Sequence, residues 1–273
     1  MLQAVPTTES APFRYSDGDD AITRAYIDGA SHQAYWEASE RRIMASIRER
    51  LAAFSIRTFA DLGCGDGRLY PHYSSNALDA VFLVEPDWER LENSAQQTLG
   101  SGGRVKFARI QIQDFIPPSP LDGVLCSHVI QHMTESDALR VLHQIGRAIL
   151  RPGGHLFLMT SYTPREEDTF SVAWVENERL KGEDLSREAF ESRFRQTNQG
   201  VLLNHAFSRG TIERLLKLAG FEVMETKAFH LECSEPTPVE ELLRLEDEIN
   251  HREAVEQCPA DLFVHARQTS RPE

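Results

Sequence analysis

The chain has no two cysteines close together. Its four, Cys64, Cys126, Cys233 and Cys258, make no C-x-x-C pair. That disfavours a zinc site and predicts a reducing compartment. Nowhere do about eighteen apolar residues run together, so no membrane span is predicted. The opening "MLQAVPTTESAPFRYSDGDD" has neither the basic leader nor the apolar centre of a secretory signal. The expectation is a cytoplasmic protein. Basic residues are also few: 29 Lys and Arg face 42 Asp and Glu, a formal net charge of −13. A nucleic-acid partner is disfavoured, because Lys and Arg must outweigh acids locally to hold a phosphate backbone. The densest basic stretch, "RRIMASIRER", interleaves its arginines with Ile43, Ile47 and Leu51. It reads as the solvated side of an amphipathic helix.

What is present is enough for one substantial core. The chain has 273 residues, 41% of them hydrophobic and 26% charged, ordinary values for a globular protein with room for one appended lid. Residues 35–54 have helical spacing. Strand-like and helical segments then alternate: "TFADLGC", "AVFLVEP", a helix over "DWERLENSAQQTL", "RVKFARIQI", "LDGVLCS", a helix over 136–149 stopped at "RPGG", and "HLFLMTS". This rhythm predicts an α/β fold with a doubly wound, mainly parallel sheet. It breaks over 162–205, where "FSVAWVENERLKGEDLSREAFESRFRQT" predicts a helical insertion. Helix and strand resume in "SRGTIERLLKLAGFEVMETKAF", and after an acidic helix near 238–256 the last strand is "DLFVHARQ". The predicted divisions are an arm and helix (1–54), a core (55–161), a helical lid (162–205) and the remainder of the core (206–273).

The informative stretch is "FADLGCGDGRLY". Gly63, Gly65 and Gly67 alternate behind Asp61 and ahead of Arg68. Ligands of such sheets bind beyond the carboxyl ends of strands, and a glycine turn lets backbone approach them closely. Glu85 ends the next strand eighteen positions after Gly67, where a carboxylate can accept both hydroxyls of a ribose. The spacing is wrong for a dinucleotide: the third glycine is one position early and Arg68 stands where a small residue is needed. No Gly-Lys-Ser/Thr follows, so this is not a P-loop. A nucleoside bearing a carboxylate suits an arginine there. Asp114 and Glu85 could instead be caps, of the turn into "FIPPSP" and of the helix at "PDWERL".

"DLGCGDGR", "LVEPD", "IQDF", "LCSHVIQHM" and "LRPGGHLFL" resemble, in order, the motifs of class I S-adenosylmethionine-dependent methyltransferases. The resemblance runs from about 55 to 161 and resumes weakly in "HAFSRGTIERLLKLAGFEV" and "DLFVHARQ". It implies a Rossmann-like sheet of seven strands with the last antiparallel, and S-adenosyl-L-methionine as cofactor. It implies cofactor contacts from Asp61, Gly63, Gly65, Arg68, Glu85, Pro86, Gln113, Asp114 and Ser127. Of these, Gly63 and Gly65 would lie against the methionine part and Glu85 would hold the ribose. Asp114 would meet the adenine amino group, with Gln113 beside it, and Ser127 would sit near the methyl group.

Methyl transfer needs near-attack geometry and, where the nucleophile carries a proton, a base. His128 and His132 are the candidate catalytic residues, on one face if a helix starts there, with His205 as a third. The i, i+4 pair has no evident third ligand and no H-E-x-x-H occurs, so no metal is expected. Tyr15, Tyr26, Tyr35, Trp36, Tyr162, Phe170 and Trp174 are the candidate wall of a pocket for a small-molecule acceptor with a hydroxyl or amine. The stretch "SHVIQHMTESDALRVLHQIGRAILRPGG" is also similar to protein alpha-N-terminal methyltransferases, but His128 stands where that family has tryptophan. A binding module without transferase activity is the remaining alternative. Oligomeric state is left open.

Overall fold

The computed structural model describes residues 33–101, 103–177, 179–196, 200–232, 237–251 and 260–269. The arm expected over the first twenty residues, with Tyr15 and Tyr26, lies outside the described residues. Helix α1 (Gln33–Ala53) buries Tyr35, Ser39, Glu40, Ile43, Met44, Ile47 and Leu51, at helical spacing. Its arginines lie opposite and meet acids: Arg42 donates to Asp247 at 2.7 Å and Arg50 pairs with Glu225. The stretch "RRIMASIRER" is therefore a solvated helix side. Strand β1 (Thr58–Leu62), the short helix α2 (Tyr70–Tyr73), β2 (Ala80–Val84), α3 (Trp88–Gln97), β3 (Val105–Ala108) and β4 (Leu121–Ser127) follow. Helix α4 (Glu135–Gln144) and β5 (Leu150–Tyr162) complete the first part of the core. "RPGG" is not a turn before β5 but an irregularity inside it. Leu121 pairs with Leu150 and Gly123 with His155, a slip that the left-handed Gly153 (φ 76°) accommodates.

The insertion corrects the expectation of a helical lid. It holds β6 (Thr169–Glu176), β7 (Arg179–Leu185), α5 (Arg187–Phe194) and β8 (Leu202–Ala206), and its strands form an antiparallel sheet in the order β7-β6-β8. Two signals compete in this segment. Phe170 and Val172 alternate with solvent-facing residues at the period of a strand and pack on Phe190 and Leu203. Asn177, at φ 51°, lies between the paired Glu176 and Arg179 and suits a tight hairpin. The charges that mimic a helix are divided between α5 and β7, whose Arg179, Lys181, Glu183 and Asp184 face water at a sheet edge.

Helix α6 (Arg209–Leu218), β9 (Phe221–Phe229), α7 (Val239–His251) and β10 (Ala260–Gln268) close the fold. The main sheet runs β3-β2-β1-β4-β5-β10-β9. The first five strands are parallel, and β10 is antiparallel to both neighbours, as the seven-strand expectation requires. Alternate residues feed two cores. Phe59, Val81, Leu83 and Phe157 pack with α1 on one face, while Ala60, Leu62, Val84 and Leu158 pack with α4 and α6 on the other. Burial on both faces explains why these strands read as continuous apolar runs. Strand order reverses between β1 and β4, which opens a crevice at their carboxyl ends. Among the described residues no helix is long and apolar enough to cross a membrane.

Candidate active site at the carboxyl edge of the sheet

The glycine turn lies at that crevice. Gly63, Gly65 and Gly67 take φ of 72°, 53° and 72°, a region that β-carbon sterics make costly. They do different work. A β-carbon on Gly63 would stand 2.4 Å from Val129 Cγ2, and one on Gly67 2.7 Å from Ser94 Cβ, so the protein's own packing requires these two. On Gly65 it would meet only the flexible tip of Arg90, at 3.4 Å. The backbone of Gly65 is thus the part of the turn left open. The amides of Gly63 and Cys64 both donate to the Val84 carbonyl, at 2.8 and 3.1 Å, wrapping the turn over the end of β2.

Glu85 is 1% exposed and joins this turn to α3. One carboxylate oxygen accepts from Gly65 N and the other from Asp87 N, each at 3.0 Å. Asp87 itself caps α3 through Arg90 N, so Glu85 is not that cap. Burial raises the Glu85 pKa, partly countered by the two amides. Each oxygen keeps a second lone pair. Asp61 is buried in β1 and accepts from the Tyr73 hydroxyl at 2.9 Å; burial pushes its pKa up to about 7. Arg68, expected to meet a ligand carboxylate, meets a protein one: it pairs with Glu40 of α1, its Nη2 donating at 2.8 Å. The partner lies upstream of the motif, where local reading could not find it. Pro86 offers its carbonyl to Arg109 Nε at 3.5 Å. Gln113 and Asp114 are exposed on a 3-10 turn (Ile112–Asp114) after β3, with Ile112 beside Gly63. Asp114 lies inside this turn and its side chain caps nothing among the described residues.

At the end of β4, Ser127 is nearly buried, with its hydroxyl 3.5 Å from Met159 Sδ. His128 follows at φ 54°. No α-helix starts there; Ile130–His132 form a 3-10 turn, so the shared face expected for His128 and His132 does not arise. His132 Nδ1 lies 2.7 Å from the Leu203 carbonyl, and burial drives its pKa down to about 4. Nδ1–H donates to that carbonyl, so the ring fastens β8 to the core and is uncharged at neutral pH. His205 lies in the insertion's own packing. It is fully buried among Phe170, Phe190 and Phe207, with Nε2 2.8 Å from Asp168 and Nδ1 3.2 Å from the Met133 carbonyl. Burial opposes the charge on Asp168, but hydrogen bonds from His205, Ser208 and Thr211 overcome it and hold the pKa at about 2.

His128 is different. Its Nδ1 lies 3.1 Å from Gln131 Oε1, and its Nε2 lies 4.0 Å from Asp261 at the start of β10. His230, just after β9, stacks against it with ring centroids 6.2 Å apart. His230 Nδ1 is 2.8 Å from Asp261 Oδ2 and its Nε2 is 2.9 Å from the Trp36 carbonyl. Burial works against a charge on His230, but Asp261 and Glu40 outweigh it and raise the pKa. Gln131, His230 and Asp261 were not among the sequence candidates. The usable signal was topological: a final antiparallel strand brings its first residues to the end of β5, and Asp261 pairs with Ser161.

An open cavity of about 850 Å³ lies between the insertion and the end of β5, beside Tyr162, Phe170 and Asn204. Its rim is acidic, with Glu166, Glu167, Asp184 and Glu232 against Arg165 and Arg187. Of the expected aromatic wall, Tyr162 and Phe170 line this cavity. Tyr35 is a core residue that donates to Glu246 at 2.9 Å and accepts from Leu231 N, Trp36 stacks on His230, and Trp174 packs within the insertion.

A family model described as a methyltransferase domain matches residues 35–226. No curated protein sequence matches the chain. Among solved structures the chain is similar to the 1,6-didemethyltoxoflavin N1-methyltransferase of Burkholderia thailandensis with bound S-adenosylhomocysteine. The identity is 16%, with 96% of this chain and 94% of that one covered, at a TM-score of 0.55. It is also similar to the N-methyltransferase NodS of Bradyrhizobium japonicum, at 11% identity over 93% and 100% of the two chains and a TM-score of 0.56. For the magnesium protoporphyrin IX methyltransferase of Synechocystis with bound S-adenosylmethionine, the values are 15%, 93%, 92% and 0.55. At such identities these likenesses concern the fold, whereas the family model spans most of the chain. The chain therefore belongs to the methyltransferase-domain family, and it is an S-adenosylmethionine-dependent class I methyltransferase.

Proposed function

We propose that the protein transfers the methyl group of S-adenosylmethionine to a hydroxyl or amine of a small polar molecule held between the end of β5 and the insertion. One observation carries this reading. Gln131 Oε1 accepts from Ser161 N at 2.9 Å, and a backbone amide can only donate. The side-chain oxygen is thereby identified, and it can only accept from His128 Nδ1 as well. The neutral His128 ring therefore carries its proton on Nδ1, which makes Nε2 its basic nitrogen. This ring follows Ser127, the residue expected beside the methyl group.

The turn suits the cofactor on two grounds: Gly65 leaves its backbone uncovered, and the Glu85 oxygens keep lone pairs for ribose hydroxyls. Gly63 and Gly65 flank the methionine part in this reading, with Asp114 and Gln113 at the adenine and Arg68 acting through Glu40. The cofactor supplies an electrophilic methyl group on a sulfonium. His128 Nε2 would take the proton that the acceptor atom gives up as it is methylated. Asp261, 4.0 Å away, stabilises the imidazolium that results. Holding acceptor and methyl group in near-attack geometry can supply roughly 7 to 11 kcal/mol. The acidic rim favours a neutral or cationic acceptor over a polyanion. The test is incubation with the cofactor and a panel of small alcohols, phenols and amines, read as a mass gain of one methyl group. Methylation confined to peptides with free amino termini would overturn the proposal.

A further inference from the structure

His128, His230 and Asp261 come from three separate segments, yet their ligand atoms all lie within 4.8 Å of one another. His230 Nδ1 is 2.8 Å and His128 Nε2 4.0 Å from Asp261 Oδ2. Ligands about 2.1 Å from a tetrahedral ion stand roughly 3.4 Å apart, between these two separations. We propose that the three side chains form a two-histidine, one-carboxylate site for a divalent transition-metal ion of the zinc or cobalt type.

Two further observations, independent of that spacing, support the site. A histidine that ligates a metal has its other ring nitrogen fixed by a hydrogen bond, which sets tautomer and orientation. Both histidines here have that support. His128 Nδ1 is held by Gln131, itself anchored on Ser161 N, and His230 Nε2 is held by the Trp36 carbonyl. The backbone also bears strain at these two positions. Among the described residues only Ser55, His128, Asn177 and His230 are non-glycine residues with positive φ. Ser55 ends α1 and Asn177 follows β6 at a hairpin, whereas His128 (54°) and His230 (51°) are neither. Strain of this kind persists where surrounding structure enforces it, typically at a ligand site.

Imidazole nitrogens with a single carboxylate select a borderline ion rather than magnesium or calcium. Three protein ligands leave a coordination position open, unlike a closed structural site. The side chains of His128, Asp261 and His230 are 24%, 18% and 8% exposed, so an ion can reach the first two from solvent. Binding exchanges the proton between His230 and Asp261 for the ion, and that proton is released to solvent. The ion would also occupy His128 Nε2, so metal loading and proton acceptance at that nitrogen exclude each other. The site stands on these three side chains and does not depend on the identity of the methyl acceptor.

The test is titration of chelator-stripped full-length protein with Zn(II) by calorimetry and with Co(II) by visible absorption. One ion per chain is expected at micromolar affinity or better, with proton release seen as a dependence of the heat on buffer. His128→Gln and Asp261→Asn should each weaken binding about 100-fold or more, and Gln131→Ala by about 10- to 100-fold. His230 anchors α1 and its variants can unfold, so the other two carry the test, with thermal melts and S-adenosylhomocysteine binding confirming an intact core. Absence of stoichiometric binding, or unchanged affinity in folded His128→Gln and Asp261→Asn, would overturn the site. In that case the three groups are a structural ion-pair cluster.

Discussion

Replacing Asp61 by Asn separates an electrostatic role from a packing one. Asp61 is 1% exposed, accepts one hydrogen bond from Tyr73, and has its pKa pushed by burial to about 7 from an ordinary 3.8. The folded protein therefore binds a proton at this site that the unfolded chain has lost across pH ~4 to ~7. Stability from this group is fully present below the unfolded pKa and declines as pH rises through the folded value. Each pH unit in that window is worth about 1.4 kcal/mol, at most ~4 kcal/mol in total. Asn keeps an oxygen to accept from Tyr73 and cannot ionise. Urea unfolding of both proteins between pH 5 and pH 8 isolates the contribution, because other titrating groups are common to the pair. The stability of Asp61→Asn relative to the parent should rise by about 2–3 kcal/mol over that range and level off above pH ~7. A difference that stays constant with pH would refute the account, and would mean that Asp61 is ionised in the folded protein, held so by Arg68.

Glu85→Ala removes the acceptor of two partly buried amides. It should lower the melting temperature and weaken cofactor binding by about 10- to 150-fold, the equivalent of about 1.5–3 kcal/mol; calorimetry on the folded variant separates the two effects, and normal affinity would make Glu85 purely structural. His128→Gln should cut turnover by about 100- to 10,000-fold while S-adenosylhomocysteine affinity survives, and a loss of affinity instead would place the ring on the cofactor. Gly67→Ala should destabilise by roughly 1–3 kcal/mol, since its β-carbon meets Ser94 in a left-handed backbone, whereas Gly65→Ala should chiefly weaken cofactor binding. Asp168 has its pKa held at about 2, so its contribution is present above pH ~4 and lost as pH falls toward 2. Asp168→Asn should flatten that acid limb of a melting-temperature profile and loosen β8 from the core, seen as faster amide exchange in the insertion.

The parallel core was legible from the sequence because burial on both faces leaves apolar runs of strand length, and helices between them show their own period. The glycine turn and Glu85 were legible because backbone conformation and strand ends are local properties. The insertion was misread because period alone cannot tell an edge strand bearing spaced charges from a helix; pairing of Val172 with Glu183 and with Leu203 decides it. The partners of Arg68 and His128 were out of reach for another reason. Glu40 is 28 residues before Arg68, and His230 and Asp261 are 102 and 133 residues after His128. A local pattern names residue types that can ionise or ligate. Which of them face one another depends on strand order and on the antiparallel return of β10, which brings Asp261 to His128 and His230.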